Sequence, residues 1–156
     1  MGGRALHRAL LVLALAGIGI AAYLTYVHYR GLSPICAIDA GCEKVQSSRY
    51  AKVGGVPVPL IGLIGYVAIF ASLLVRGEAA RLATAGMALG GFAFSVYLTG
   101  LELFEIHAIC QWCVGSAIAM TSIALLATLR ALRAPEDPLV EDELRIGLLA
   151  PEGEAA

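Results

Sequence analysis

Four long stretches without a single Asp, Glu, Lys or Arg set the terms on which this chain folds. They fall at residues 9–27, 56–75, 82–101 and 112–129, the first reading ALLVLALAGIGIAAYLTYV. A helix needs about 20 apolar residues to cross a hydrocarbon core, and one charge at its centre costs on the order of 2.5–3.5 kcal/mol of insertion. Each run therefore predicts a transmembrane helix. The chain is expected to be an all-α integral membrane protein, a four-transmembrane-helix bundle with a long outer loop, 28–55, between helices 1 and 2. Only 15% of its residues are charged, against about 25% in soluble domains. A net charge of −1 offers no basic field to draw nucleic acid, which is not expected as a partner.

The first run shares features with a cleaved signal peptide, since Arg4 and Arg8 precede it and small alanines follow. It continues past the usual h-region of about 7–15 residues into Tyr23, Tyr26 and Tyr29, an aromatic belt, and is retained as helix 1. Orientation follows from the cations beside the spans. Arg4, Arg8, Arg76, Arg81, Arg130, Arg133 and Arg145 fall on one side, and Arg30, Lys44, Arg49 and Lys52 on the other. The segment 102–109 holds Glu102, Glu105 and His107 but no Lys or Arg, so it should face outward. The expectation is a multi-pass protein of the cytoplasmic (inner) membrane with both termini cytoplasmic and every cysteine on the periplasmic or extracytoplasmic side. Residues 1–133 would form the bundle and 134–156 an acidic cytoplasmic tail, in which LVEDELRIGLL can make a short amphipathic helix. Within the bundle, Gly86 and Gly90 form a small-xxx-small pattern expected to bring two helices of this chain close together. Pro57 and Pro59 suit a first helical turn, where a missing N–H costs nothing, and Gly54 and Gly55 give the loop a flexible end.

Cys110 and Cys113 stand in a C-x-x-C frame at the start of helix 4. Three residues apart, they share one helix face and can close a small disulfide ring. The helix N-terminus favours an anion there and stabilises a thiolate, which marks the pair as redox-active. Cys36 and Cys42 lie in the loop 28–55, which is long enough to carry them between a soluble partner and the C-x-x-C. The loop can lay Val45 and Tyr50 on the membrane surface as part of a short amphipathic helix. Two other readings stay open. Structural disulfides suit an oxidising compartment, and four cysteines suit zinc, although structural zinc prefers two to four residues within each close pair and Cys36 and Cys42 have five between them. No metal is expected.

YLTYVHY (23–29), the C-x5-C that leads through KVQSS to Ser48, GVPVPLIGLIGY (55–66) and CQWCVGSA (110–117) occur in one order along the chain. Over roughly residues 8–132 the chain resembles the bacterial vitamin K epoxide reductase family of membrane thiol oxidoreductases. The resemblance implies a four-helix bundle around a quinone, ubiquinone or menaquinone, that takes electrons from a soluble thioredoxin-fold (DsbA-like) protein. By the same resemblance Cys110 and Cys113 are the active-site pair, with Cys113 meeting the quinone and Cys110 taking the relay. Cys36 and Cys42 are the shuttle, Cys36 meeting the partner and Cys42 attacking Cys110, and Ser48 is the loop hydroxyl beside the active site. Trp112 either lines the quinone pocket or anchors the membrane interface. Two departures matter. The Asn and Tyr that bind the vitamin K head group in animal enzymes fall at Val58 and Ala117, which favours plain quinone reduction, and no thioredoxin-like domain is fused, so the partner is expected to be a separate chain. A DsbB-type quinone-linked oxidase is the rival of the same chemistry, but it carries its two pairs in the reverse order. A non-catalytic scaffold with structural disulfides is the rival of another class. His28 and His107 read as polar anchors at helix ends.

The orientation has a direct test. In intact, reduced cells a membrane-impermeant thiol reagent is expected to label Cys36 and to leave a cysteine introduced at 76–81 unlabelled; the opposite pattern inverts the topology.

Overall fold

The structure, a computed structural model, describes residues 3–36 and 41–133; the acidic tail predicted at 134–156 lies outside them. In chain order the elements are α1 (Gly3–Arg30), α2 (Gly41–Ser47), a 3-10 turn (Arg49–Ala51), β1 (Lys52–Val53), β2 (Val56–Pro57), α3 (Val58–Leu74), α4 (Glu78–Leu101), a π-helical turn (Glu102–Ile106) and α5 (Gln111–Leu132).

Among the described residues, three helices are long and apolar enough to cross a membrane: Arg4–Arg30, Glu78–Ile106 and Gln111–Leu132. The run predicted at 56–75 is a shorter apolar helix of 17 residues, Val58–Leu74. It starts late because Val56 and Pro57 pair with Val53 and Lys52 in a hairpin. Gly54 and Gly55 make that turn with φ of +58° and +85°, the left-handed pair that a tight two-residue hairpin demands. They are thus a turn and not a flexible end. Pro57 is the N-cap of α3 and Pro59 sits in its first turn, where neither has a helical bond to forfeit. The loop predicted at 28–55 is correspondingly built up, because α1 runs on to Arg30 and α2, the 3-10 turn and the hairpin occupy most of 41–57.

The long helices pack in a ring, α1 against α3 and α5, and α4 against α5 and α3. Leu10, Ala14, Tyr66, Ile69, Ala88 and Ile123 lie at its centre. Val12, Leu15, Ile64, Val96 and Leu125 face outward and are exposed, an apolar surface that calls for hydrocarbon around it. Two glycines make the close approaches. A Cβ on Gly17 would sit 2.2 Å from the Tyr66 ring, and one on Gly91 would sit 2.8 Å from the Met120 side chain. Gly86 and Gly90, where the small-xxx-small pattern predicted contact, have nothing within 4 Å of a Cβ. The reason is rotational: Gly91 is the residue of α4 turned toward α5. Polar links join the same helices. Tyr66 donates its hydroxyl to the Ser116 carbonyl at 2.8 Å, and the Ser72 and Thr84 hydroxyls lie 2.8 Å apart. Arg81 donates to the carbonyls of Arg130 and Arg133, which the end of α5 leaves without helical partners.

Gly17→Ala is expected to destabilise the protein by roughly 1–3 kcal/mol through overpacking against Tyr66. Gly19→Ala, whose Cβ meets nothing within 4 Å, serves as the neutral control. Unfolding midpoints in detergent check the difference, and equal midpoints contradict the packing.

Candidate functional site

The site is assembled where α4 ends and α5 begins. The π turn widens the last helical turn of α4, and His107 closes it in the left-handed region, φ 50°. The Glu102 carbonyl accepts the N–H of Ala108 at 3.2 Å. This reversal brings the chain back over its own end, so that the Glu102 side chain meets the start of α5. Its Oε2 accepts the backbone N–H of Cys110, the N-cap residue, at 3.1 Å. Glu102 is only 6% exposed, and its carboxyl lies within hydrogen-bond reach of the Cys113 thiol.

Cys110, between the apolar spans, is wholly buried, yet its thiol is lowered from its ordinary value of 9.0 to about 7. The chief cause is the hydrogen bond with the Cys113 thiol. The N–H groups of Cys113 and Trp112 at the start of α5 add to it, against desolvation and the nearby Glu102 carboxylate. Burial alone would have raised it. The Cys113 thiol, aided by the open amides of the first turn, therefore favours the thiolate at Cys110.

Cys36 and Cys42 form a disulfide with 6.4 Å between their Cα atoms, while Cys110 and Cys113 are free. Cys42, Val45 and Cys110 form one buried cluster, and Cys36, Trp112 and Cys113 pack against it. The two pairs, distant in sequence, thus share one apolar nest. Gly41 permits this: a Cβ there would meet the Ile109 carbonyl oxygen at 2.5 Å, so only glycine lets α2 seat Cys42 so near the α5 start. Ile35, beside Cys36, is held from both sides. Its N–H donates to the Tyr23 hydroxyl at 2.9 Å, and its carbonyl accepts from the Trp112 indole N–H, also at 2.9 Å.

A cavity of about 380 Å³ opens between α1, α3, α4 and α5, beneath the loop elements. Cys113, Glu102 and Ser48 are on its wall, and Val58, Ala117 and Gly90 help to make it apolar. Among the described residues Cys113 is the one cysteine that lines it. Ser48 is therefore near the site, with its hydroxyl donated to the Val45 carbonyl at 2.8 Å. Trp112 is not on the cavity wall. Its ring packs on Tyr23 at 4.9 Å and its N–H serves Ile35, so it braces the cysteine loop instead of forming the pocket. His28 lies edge-on to Tyr29 and His107 is exposed. Among the described residues no group of three or more His, Cys, Asp or Glu comes together as metal ligands would.

Reading the sequence missed two of these residues. Glu102 counted only as a charge deciding sidedness, although an acid eight positions before Cys110 at the end of an apolar helix was the available signal. Gly41 carried no signal, because the backbone it approaches lies far along the chain.

The sequence profile of the vitamin K epoxide reductase family matches residues 8–128. The chain belongs to the vitamin K epoxide reductase family. That span takes in all four cysteines, Ser48, Glu102 and the long helices between Arg8 and Thr128. The chain is also similar to the thiol-disulfide oxidoreductase LTO1 of Arabidopsis thaliana, 43% identical over 58 residues, which are 36% of this chain and 15% of the plant protein.

The Cys110 thiol gives a pH-dependent signature. With Cys36 and Cys42 replaced by Ser, thiolate ultraviolet absorbance is expected to rise through about pH 7, and Cys113→Ser is expected to move that midpoint upward. Because the folded value is depressed, ionisation of Cys110 stabilises the reduced protein fully above 9.0 and not at all well below about 7. A single transition near 9 in both proteins contradicts the assignment.

Proposed function

We propose that this family member is a quinone-dependent thiol oxidoreductase that supports disulfide bond formation. Electrons from a soluble thioredoxin-fold, DsbA-like protein enter at Cys36 and Cys42, pass to Cys110 and Cys113, and leave to a membrane quinone, ubiquinone or menaquinone. One observation carries the reading: Cys42 and Cys110 are buried together, Cys36 lies toward the loop, and Cys113 lines the cavity. The name of the Arabidopsis relative, a thiol-disulfide oxidoreductase, points the same way.

The sulfur chemistry follows from that order. The partner's dithiol reduces Cys36–Cys42 and leaves with the disulfide. Cys42 thiolate then attacks Cys110 of the closed C-x-x-C pair and frees Cys113. Cys36 attacks Cys42 in turn, which closes Cys36–Cys42 and expels Cys110. A thiol lowered to about 7 leaves readily. The product has Cys36–Cys42 closed with Cys110 and Cys113 free, the state described above.

The cavity suits a quinone: its volume of about 380 Å³ falls within the ~300–1,000 Å³ of small-molecule sites, and its walls are apolar with Cys113 among them. A bound quinone supplies a two-electron acceptor. Cys113 would face it, Glu102 and Ser48 place polar groups at the same wall, and the apolar remainder would exclude water. A DsbA-like partner near −120 mV needs an acceptor at least as oxidising, since each ~30 mV of shortfall costs about 1.4 kcal/mol. The apolar Val58 and Ala117 favour the quinone over an epoxide.

Four spans complete the picture. The helix Val58–Leu74, 17 residues, reaches roughly 25 Å at the helical rise, and the modest shortfall against a ~30 Å core is taken up by bilayer thinning. Both termini would be cytoplasmic, residues 1–133 forming the bundle, with the sulfurs on the extracytoplasmic side of the inner membrane.

The purified protein is expected to oxidise a reduced thioredoxin-fold partner only when quinone is added. Cys110→Ser and Cys113→Ser should each abolish turnover and Ser48→Ala should slow it. Cys42→Ser should trap Cys36 with the partner, and Cys113→Ser should trap Cys42 with Cys110. Turnover by Cys113→Ser, or turnover without quinone and oxygen, sinks the reading.

A further inference from the structure

Oxidising a dithiol releases two electrons and two protons, and the electron route proposed above leaves the protons unassigned. At the start of α5 one of them has a ready exit, because the Cys110 thiol faces the N–H groups of the first turn. Among the described residues no such backbone donor acts on Cys113, and it lies on the wall of an apolar cavity where water is scarce. The acidic group beside it is Glu102. That carboxyl is 6% exposed, lies within hydrogen-bond reach of the Cys113 thiol and forms part of the same cavity wall. Its other oxygen contact, the Cys110 N–H at 3.1 Å, fixes its orientation. No cationic side chain contributes to its surroundings among the described residues. A carboxyl placed only to cap a helix has no need to reach a cavity, and burying one at a membrane boundary is costly enough to mark it as functional.

We propose that Glu102 takes the proton of the Cys113 thiol as the Cys110–Cys113 disulfide forms, and delivers it into the cavity. This rests on the redox reading above. The balance is complete: the two thiols lose two electrons and two protons and gain the S–S bond, while the quinone gains two electrons and two protons to become the hydroquinone. One proton travels through Glu102 and the other is the one Cys110 surrenders on ionising. Glu102 touches a reacting sulfur and is in that sense catalytic. It also explains the π turn, which swings the carboxyl from the end of α4 onto the thiol pair; such turns are common at functional sites.

Glu102→Gln is the decisive variant, since its amide oxygen still accepts the Cys110 N–H and its volume is nearly unchanged, but it cannot hold a transferred proton. Its quinone-dependent kcat is expected to fall about 10²-fold, in the range a positioned acid or base supplies, with KM for quinone changed less than about twofold. Glu102→Asp should recover most of the rate. A second arm uses wild-type protein with isotope-labelled glutamate, driven between dithiol and disulfide at an electrode without quinone. Redox-difference infrared spectra should show a labelled carboxylic acid band growing as the pair is oxidised. A Glu102→Gln enzyme with kcat within about twofold of wild type, a parallel change in KM and unfolding midpoint that marks a merely structural role, or a difference spectrum without that band would each overturn the proposal. If the wild type does not turn over with quinone, the redox reading fails, and the infrared arm still decides whether Glu102 receives the proton.

Discussion

The hydrogen bond from the Cys110 amide to the Glu102 carboxylate is the joint on which the site turns. It links the last turn of one apolar helix to the first residue of the next and spans eight positions of chain. A helix start leaves amides unpartnered, and near hydrocarbon no water is at hand to satisfy them. Glu102 supplies one acceptor from within the protein. The same contact sets the direction in which α5 departs, and with it the face on which Cys110 and Cys113 stand. Cys110 then turns into the buried cluster with Cys42, and Cys113 turns to the cavity. A carboxylate between two thiols would by itself oppose ionisation. The hydrogen bond from Cys113 and the open amides of α5 outweigh it at Cys110.

Close backbone approach does the remaining positioning. Gly41 lets α2 come down on the Ile109 carbonyl, and Gly17 lets the Tyr66 ring lie flush on α1 with 1% exposure. The first contact joins the two cysteine pairs. The second braces α3 against α1, and the Tyr66 hydroxyl reaches on to Ser116 one turn after Cys113. Gly62, Gly65 and Gly90 line the cavity and leave volume there. In this bundle, glycine serves helix contact at some positions and empty space at others, and the two uses look alike in a sequence.

Charge-free runs and a C-x-x-C were plain in the sequence, since both are local patterns. The spans of α1, α4 and α5 and the thiol pair at the α5 start follow from them directly. Element ends were harder. Val56 and Pro57 read as apolar helix but went into a strand, because Gly54 and Gly55 close a hairpin that no hydropathy window registers. Gly86 and Gly90 matched a packing motif, yet whether a glycine faces a neighbour depends on helix rotation, which the spacing leaves open. Trp112, within the C-x-x-C, invited a place in the pocket. Its actual partner is a carbonyl 77 positions away, and contacts of that separation leave no trace in a local pattern. Glu102 was visible as a letter but not as a neighbour of Cys113, since that needs the π turn.

The burial of the sulfurs also constrains how such a relay can run. Thiol exchange needs an attacking thiolate, and a dry setting disfavours thiolates unless something supports them. Here the two middle sulfurs, Cys42 and Cys110, are 1% and 0% exposed, and the support is local to the α5 start. Cys36 and Cys113 are both half-buried, one toward the loop and one toward the cavity. Outside thiols can therefore reach the chain of sulfurs at Cys36, and an apolar acceptor can reach it at Cys113, but neither reaches the centre. Next to Cys36, the Ile35 backbone is held by the Tyr23 hydroxyl and the Trp112 indole. Were electrons to take the proposed route, two terminal sulfurs open to different solvents and joined through a closed middle would keep that path apart from side reactions.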